Sequence, residues 1–245
     1  MLRVLRKKEN HVNVKQNSMG AKHPAKFSEV LLPLLYEELR LFPSVLDPFG
    51  GVGKLAKIKE LGYKGTVTCN ELEKEWVEAS EYAVDDWHIG DAAKMAWAID
   101  HQFSAVCTSP TYGNRMADHH NAKDGSRRIT YRHYLGRPLT EGNTGKMQWG
   151  KEYRQKHIQI YHEIIRVLSY DGVLLVNVSN HIRGGVVIDV VSWHTSQLIG
   201  FGMTLVKDIL VETPRMRYGK NGEQRCLQEY ILVFRNTSYV SRIII

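Results

Sequence analysis

Three cysteines, Cys69, Cys107 and Cys226, are all that 245 residues contain. They are odd in number, far apart and without C-x-x-C spacing, which excludes a disulfide framework and a thiolate zinc site and leaves plain buried thiols as the expectation. Long apolar runs are missing too. Nothing approaches the ~20 apolar residues that a membrane span needs, and no secretory apolar stretch follows the basic Arg3, Arg6, Lys7 and Lys8. A cytoplasmic protein with no membrane partner is expected. Internal repeats, low-complexity segments and the G-x-S-x-G elbow of hydrolases are also absent. His119, His120 and His133 lie near one another, but adjacent histidines seldom aim both rings at one ion, so no metal is expected.

What is present is an ordinary globular composition, 43% hydrophobic and 24% charged, at a length that suits one α/β domain over residues 1–245. The net charge is +7 and is unevenly placed. A tail of residues 1–26 carries seven Lys/Arg against Glu9 alone, and residues 113–156 carry ten Lys/Arg against four Asp/Glu, which leaves the remainder net negative. Clustered cations on an acidic body read as a footprint for a polyanion, since fixed phosphates attract them and release counterions. A solvated charged surface is the alternative.

Periodicity gives the fold class. Phe27, Val30, Leu31, Leu34, Leu35 and Leu39 follow helical spacing, with Ser28 placed as a cap and Pro33 in the opening turns. Short apolar runs at Val45–Leu46, Thr66–Cys69, Ser104–Thr108 and Val173–Val178 suit buried parallel strands, and helical patterns at Leu55–Leu61, Trp76–Tyr82, Ile158–Leu168 and Val187–Leu198 lie between or after them. Such alternation specifies a mostly parallel sheet with helices on both faces. Met203–Val211 and Leu227–Arg235, joined across the turn-rich stretch 218–222, predict an antiparallel hairpin at the sheet edge. The segment 113–150 has no clear periodicity, which marks it as an inserted loop.

Leu46-Asp47-Pro48-Phe49-Gly50-Gly51-Val52-Gly53 follows the first strand, where Gly50, Gly51 and Gly53 let the backbone bend sharply and come close to a ligand. In an open α/β sheet ligands lie at the carboxyl ends of the strands. Glu71, about 20 residues on at the end of the second strand, is placed to accept ribose hydroxyls, and Asp91, after Trp87-His88-Ile89, to meet an adenine edge. A plain strand-to-helix turn, with Glu71 and Asp91 as helix caps, stays open at this point. Asn177, Asn180, His181 and Arg183, at or just after the strand Val173–Val178, could reach the same end or serve as loop and capping residues. A second motif, Thr108-Ser109-Pro110-Thr111-Tyr112, comes directly after the strand that begins at Ser104.

These motifs resemble the amino-methylating branch of the class I S-adenosylmethionine-dependent methyltransferases, whose signature here is Asp, Asn or Ser, then Pro-Pro, then an aromatic residue. Thr111 stands in place of the second Pro, which puts the rigidity of that loop in question. His23-Pro24-Ala25-Lys26-Phe27 is similar to the His-Pro-Ala-x-Phe segment that precedes the cofactor motif in DNA methyltransferases, so the resemblance covers residues 23 to about 112. It implies a Rossmann-like fold with a seven-stranded sheet, S-adenosylmethionine as cofactor, and a cofactor pocket formed by Phe27, Asp47, Phe49, Gly50, Gly51, Gly53, Glu71 and Asp91.

It further implies transfer of a methyl group to an exocyclic base amine. That lone pair is delocalised into the ring, and acceptors for both N–H groups, here Ser109 and the Pro110 carbonyl, would localise it. Tyr112 would stack on a base flipped from its helix. A ring-carbon methylase would need a Pro-Cys nucleophile, which is lacking, and Cys107 reads as core. In segment 113–150, Arg115, Arg127, Arg128, Arg132 and Arg137 alternate with Tyr131, Tyr134 and Trp149, a composition that suits phosphate contacts and base stacking, or else a plain surface loop. The expected partner is DNA, with cytosine N4 favoured over adenine N6 because the motif begins with Ser. RNA base methylation and an inactive nucleic-acid-binding protein are the alternatives. No separate recognition domain is left in the chain, which makes room for a homodimer or another partner, and a restriction-modification role is the natural setting of such an enzyme.

Overall fold

The computed structural model describes residues 28–111, 131–183, 185–213, 226 and 228–237, apart from the side chains of Arg132 and His133. Chain order is α1 (Leu32–Leu39), β1 (Ser44–Asp47), β2 (Thr66–Glu71), α2 (Lys74–Glu78), β3 (Asp86–Ile89), β4 (Phe103–Thr108), α3 (Tyr131–Leu135), α4 (Lys151–Val167), β5 (Leu168–Val178), β6 (His181–Arg183), β7 (Val186–Ile188), α5 (Val190–Gly200), β8 (Met203–Glu212) and β9 (Gln228–Asn236). Seven strands form one sheet in the order β3-β2-β1-β4-β5-β9-β8. The first five are parallel, β9 runs antiparallel to both β5 and β8, and β6 and β7 pair separately as a small hairpin.

Both faces of the central strands are buried, and the period of two in strand side chains divides them. Val45, Ala105, Cys107, Val173 and Leu175 join an apolar layer with α1 residues such as Leu35 and Leu39. Their neighbours Leu46, Val106, Leu174 and Val176 join the opposite layer with Ile160, Tyr161 and Ile164 of α4. Helix α4 can fill that layer because Tyr153, His157, Ile160, Tyr161 and Ile164 recur at helical steps on one face. Cys69 and Cys107 are fully buried, and burial raises both thiols well above their usual range. Cys226 is only half-buried, so it departs from the expected set of three buried thiols.

Other expectations needed revision. Ser28 caps through its carbonyl, which accepts from the Leu31 amide at 3.0 Å, and its hydroxyl makes no cap bond. Residues 54–61 form a 3-10 helix rather than an α-helix, entered from Gly53 in the left-handed region at φ 80°. Helix α5 begins at Val190, not Val187, because residues 186–188 pair with 181–183 as β7. The largest difference concerns segment 113–150. Its second half is a built part of the domain, with α3 and a 3-10 turn at Thr144–Lys146, while 112–130 lie outside the described residues. Among the described residues no helix is long and apolar enough to cross a membrane, and no group of acidic, His and Cys side chains is placed to hold a metal.

Candidate active site at the strand ends

Parallel pairing sets Asp47 opposite Cys69 and Glu71 opposite Ile89, so the carboxyl ends of β1, β2, β3 and β4 open on one edge of the sheet. Asp47 is 1% exposed, and its Oδ1 accepts from the Phe49 amide at 3.1 Å and the Thr108 hydroxyl at 3.0 Å. Thr108 thereby ties the end of β1 to the end of β4, next to Ser109. Burial outweighs these two bonds and pushes the Asp47 carboxyl up to about 7. Among the described residues no cation pairs with it.

Glu71 crosses to the glycine turn. Its Oε2 accepts from the Gly51 amide at 2.8 Å, and its Oε1 from the Leu72 and Glu73 amides at 2.8 and 2.9 Å. Burial again dominates, and the carboxyl sits at about 7. A carboxylate offers about four acceptor directions. Three are in use, so the pair of ribose hydroxyls expected for Glu71 would find one open direction unless the turn gives way.

The glycines serve packing as well as bending. A Cβ on Gly50 would lie 2.8 Å from the Cβ of Cys69, and one on Gly53 would lie 2.5 Å from Val84 and 2.8 Å from Trp87. Gly51 and Gly53 hold φ of 54° and 80°, the left-handed region that side chains disfavour. These observations explain Gly50 and Gly53 by the closeness of β2 and β3. The half-buried Phe49 ring stacks on His157 of α4, with centroids 5.9 Å apart and planes at 13°. Burial pushes that imidazole down to about 4, so it is neutral. Asp91 takes the capping role, one of the two left open for it, and adds an ion pair. It caps a turn, accepting from the Ala93 amide at 2.9 Å, and it pairs with Lys156 of α4. An adenine amine reaching Asp91 would compete with Lys156.

On the other side of the edge, Ser109 receives a long contact from the Asn177 amide at 3.4 Å, and the same nitrogen donates to Glu229 at 3.0 Å. Thr111, the departure from the Pro-Pro signature, is held at two points. Its hydroxyl bonds that of Thr144 at 2.6 Å, and its carbonyl accepts from Tyr153 at 2.6 Å. The stiffness a second proline would give is supplied here by contacts. Phe27, Tyr112, Arg115, Arg127 and Arg128 lie outside the described residues, as does the side chain of Arg132. Asn180 acts as a cap, accepting from the Val191 amide at 2.9 Å.

Two residues carry more of this edge than the sequence suggested. Glu73 is fully buried, and its carboxylate accepts from Thr140 (backbone and hydroxyl), Asn143 and Arg137 at 2.7–2.8 Å. Arg137, read above as a candidate phosphate contact, instead forks between Glu73 and Glu75, at 2.7 and 2.6 Å. Its charge is already neutralised, which corrects that reading. Tyr153 is the other, since it spans from α4 to the loop after β4. The signal for Tyr153 and Lys156 was their three-residue spacing on a helix face, and for Glu73 its position two residues after Glu71.

No protein-family model matches the chain, and no curated relative does. Solved structures do match in fold. The N-methyltransferase NodS from Bradyrhizobium japonicum WM9 superposes with a TM-score of 0.52 at 10% identity, covering 84% of this chain and 93% of its own. A SAM-dependent methyltransferase from Methanosarcina mazei gives 0.52 at 9%, covering 83% and 97%. The [4+2]-cyclase SpnF gives 0.54 at 14%, covering 87% and 83%. The chain has the Rossmann-like class I methyltransferase fold. At these identities the likeness is one of fold, and the presence of a cyclase among such structures shows that chemistry must be argued from the site.

Proposed function

We propose that the protein is an S-adenosylmethionine-dependent methyltransferase that acts on an exocyclic amine of a base in nucleic acid, DNA before RNA. The observation that carries this reading is the junction of Asp47 with Thr108, which joins the glycine turn at the end of β1 to Ser109-Pro110 at the end of β4. The donor set fits the cofactor. Asp47 is a buried carboxylate without a cation beside it among the described residues, suited to the ammonium of a methionine moiety, and Glu71 keeps one acceptor direction for a ribose hydroxyl. When bound, the cofactor would supply an electrophilic methyl group on a sulfonium and leave as the neutral thioether, and the methylated amine would lose one N–H proton to solvent.

The chain's own part is to position and to localise charge. Ser109 and the Pro110 carbonyl accept the two N–H groups of the amine and turn its lone pair toward the methyl group. Thr144 and Tyr153 hold Thr111, and with it the loop, at a fixed distance from Phe49 through His157. Cytosine N4 is preferred over adenine N6 on the weak ground that the motif begins with Ser. The test is incubation with labelled cofactor and DNA or RNA, followed by nucleoside mass analysis. N4-methylcytosine or N6-methyladenine supports the reading. Label on RNA alone moves the substrate to the alternative, and cofactor binding with no transfer to either polymer removes nucleic acid as substrate.

A further inference from the structure

The arginines that the sequence offers for nucleic acid lie between 115 and 137, yet Arg137 is consumed by Glu73 and Glu75. A different surface adjoins the catalytic loop. Strands β4 and β5 are parallel, so the residues after Val178 emerge at the same edge as Ser109. There the β6–β7 hairpin turns through Gly185, at φ 80°, and leaves Val186 63% and Val187 57% exposed. Arg183 on the hairpin is exposed and bonds Gln148 at 2.9 Å. Next in sequence, Trp149 meets Trp193 edge-to-face, with centroids 5.5 Å apart, and both indoles are part-exposed. The Arg154 guanidinium lies 5.7 Å over Trp149. Trp149 is 5.1 Å, centroid to centroid, from Tyr153, whose hydroxyl holds the Thr111 carbonyl. One side chain therefore separates the indoles from the catalytic loop.

We infer that Trp149 and Trp193, with Arg154 and Arg183, form the surface on which an unpaired stretch of nucleic acid lies beside the target base. The inference rests on the amine-methylating reading above. Indole faces stack on any base, and the guanidiniums of Arg154, which also lies over an indole, and Arg183 would hold the neighbouring phosphates. Charge favours this occupant over a protein segment of mixed charge: Lys151, Arg154 and Arg183 are exposed near the indoles in sequence or contact, against the exposed acids Glu152 and Asp189, so cations outnumber acids there. The exposed valines extend the apolar surface where a displaced strand would otherwise lose stacking.

The experiment uses the full chain and short labelled oligonucleotides, single-stranded and duplex, with anisotropy read over a series of salt concentrations. Trp149→Ala is expected to weaken single-strand binding about 5- to 150-fold, the range that loss of one stacked base brings. Trp149→Phe, which keeps a ring, recovers most of it. Arg154→Ala with Arg183→Ala lowers the slope of log affinity against log salt by about 1.4 on single strands. Cofactor affinity and thermal midpoint report whether each variant is folded, and Trp149→Phe and the arginine pair carry the test if Trp149→Ala is not. Wild-type affinity and slope in these variants, while the parent methylates the oligonucleotide, overturn the surface and leave the enzyme reading intact. A parent that binds cofactor but neither binds nor methylates nucleic acid overturns both. Equal binding of a poly-glutamate peptide, with the same loss in Trp149→Ala, assigns the surface to protein and overturns it too.

Discussion

Cofactor binding should depend on pH through Asp47, in a direction that the fold determines. Burial lifts this carboxyl from 3.8 to about 7, a displacement worth about 4 kcal/mol at 1.36 kcal/mol per pKa unit, so the ligand-free site is largely protonated below neutrality. Because the folded state then holds a proton that the unfolded chain has released, stability falls as pH rises from about 4 to about 7. A ligand ammonium pairs only with the ionised form. Affinity for S-adenosylmethionine should therefore rise about tenfold from pH 6 to pH 8 if Asp47 alone must ionise, and up to about a hundredfold if Glu71, also near 7, ionises with it. Titration calorimetry in two buffers of different ionisation enthalpy reads this directly, as about one proton released per cofactor bound at pH 6. Asp47→Asn should abolish that release, weaken binding at pH 8, and raise the thermal midpoint at pH 8, since an amide oxygen still accepts from Phe49 and Thr108. Affinity independent of pH between 6 and 8, in a protein that binds the cofactor, would refute the placement of Asp47 against a cation.

Three further outcomes are expected. Glu71→Gln places an amide donor or a lost acceptor against the Gly51 N–H, so cofactor affinity should fall with about 1–3 kcal/mol of stability, read by calorimetry and thermal melts. Tyr153→Phe removes the 2.6 Å bond to the Thr111 carbonyl and should lower kcat about 5- to 150-fold, the kinetic equivalent of about 1–3 kcal/mol, with cofactor affinity unchanged. Arg137→Ala leaves the fully buried Glu73 with its neutral donors only, and a loss of about 3 kcal/mol with faster proteolysis between 137 and 145 should follow.

The sheet was legible because buried parallel strands write themselves as short apolar runs, and Val45–Leu46, Thr66–Cys69 and Val173–Val178 all fall inside observed strands. Less legible was the stretch before α5. Val186-Val187-Ile188 continues the apolar pattern of the helix that follows, and periodicity over so few residues cannot separate a helical turn from a three-residue strand. The pair Gly184-Gly185 held the correcting signal in the sequence, since two glycines between short strand-like runs also read as a hairpin. Arg137 was misread for a different reason. Composition assigns a cation to solvent or phosphate by default, and its true partners, Glu73 and Glu75, lie more than 60 residues away in sequence.

That distance is the general limit at this edge, and it has a consequence for Thr111. Local sequence specifies loop stiffness through proline, which fixes φ without help from any other residue. Here the same loop is stiffened from outside, by Thr144 at a sequence separation of 33 and by Tyr153 at 42. Such a clamp can open, whereas a proline cannot. Asn143, next to Thr144, and Thr140 are in turn fixed by Glu73, two residues after Glu71. The Thr111 hydroxyl, Thr144, its neighbour Asn143, Glu73 and Glu71 thus form a continuous path from the loop after β4 to the glycine turn, so on the proposed function loss of Glu73's partners should disturb catalysis and cofactor affinity together rather than either alone.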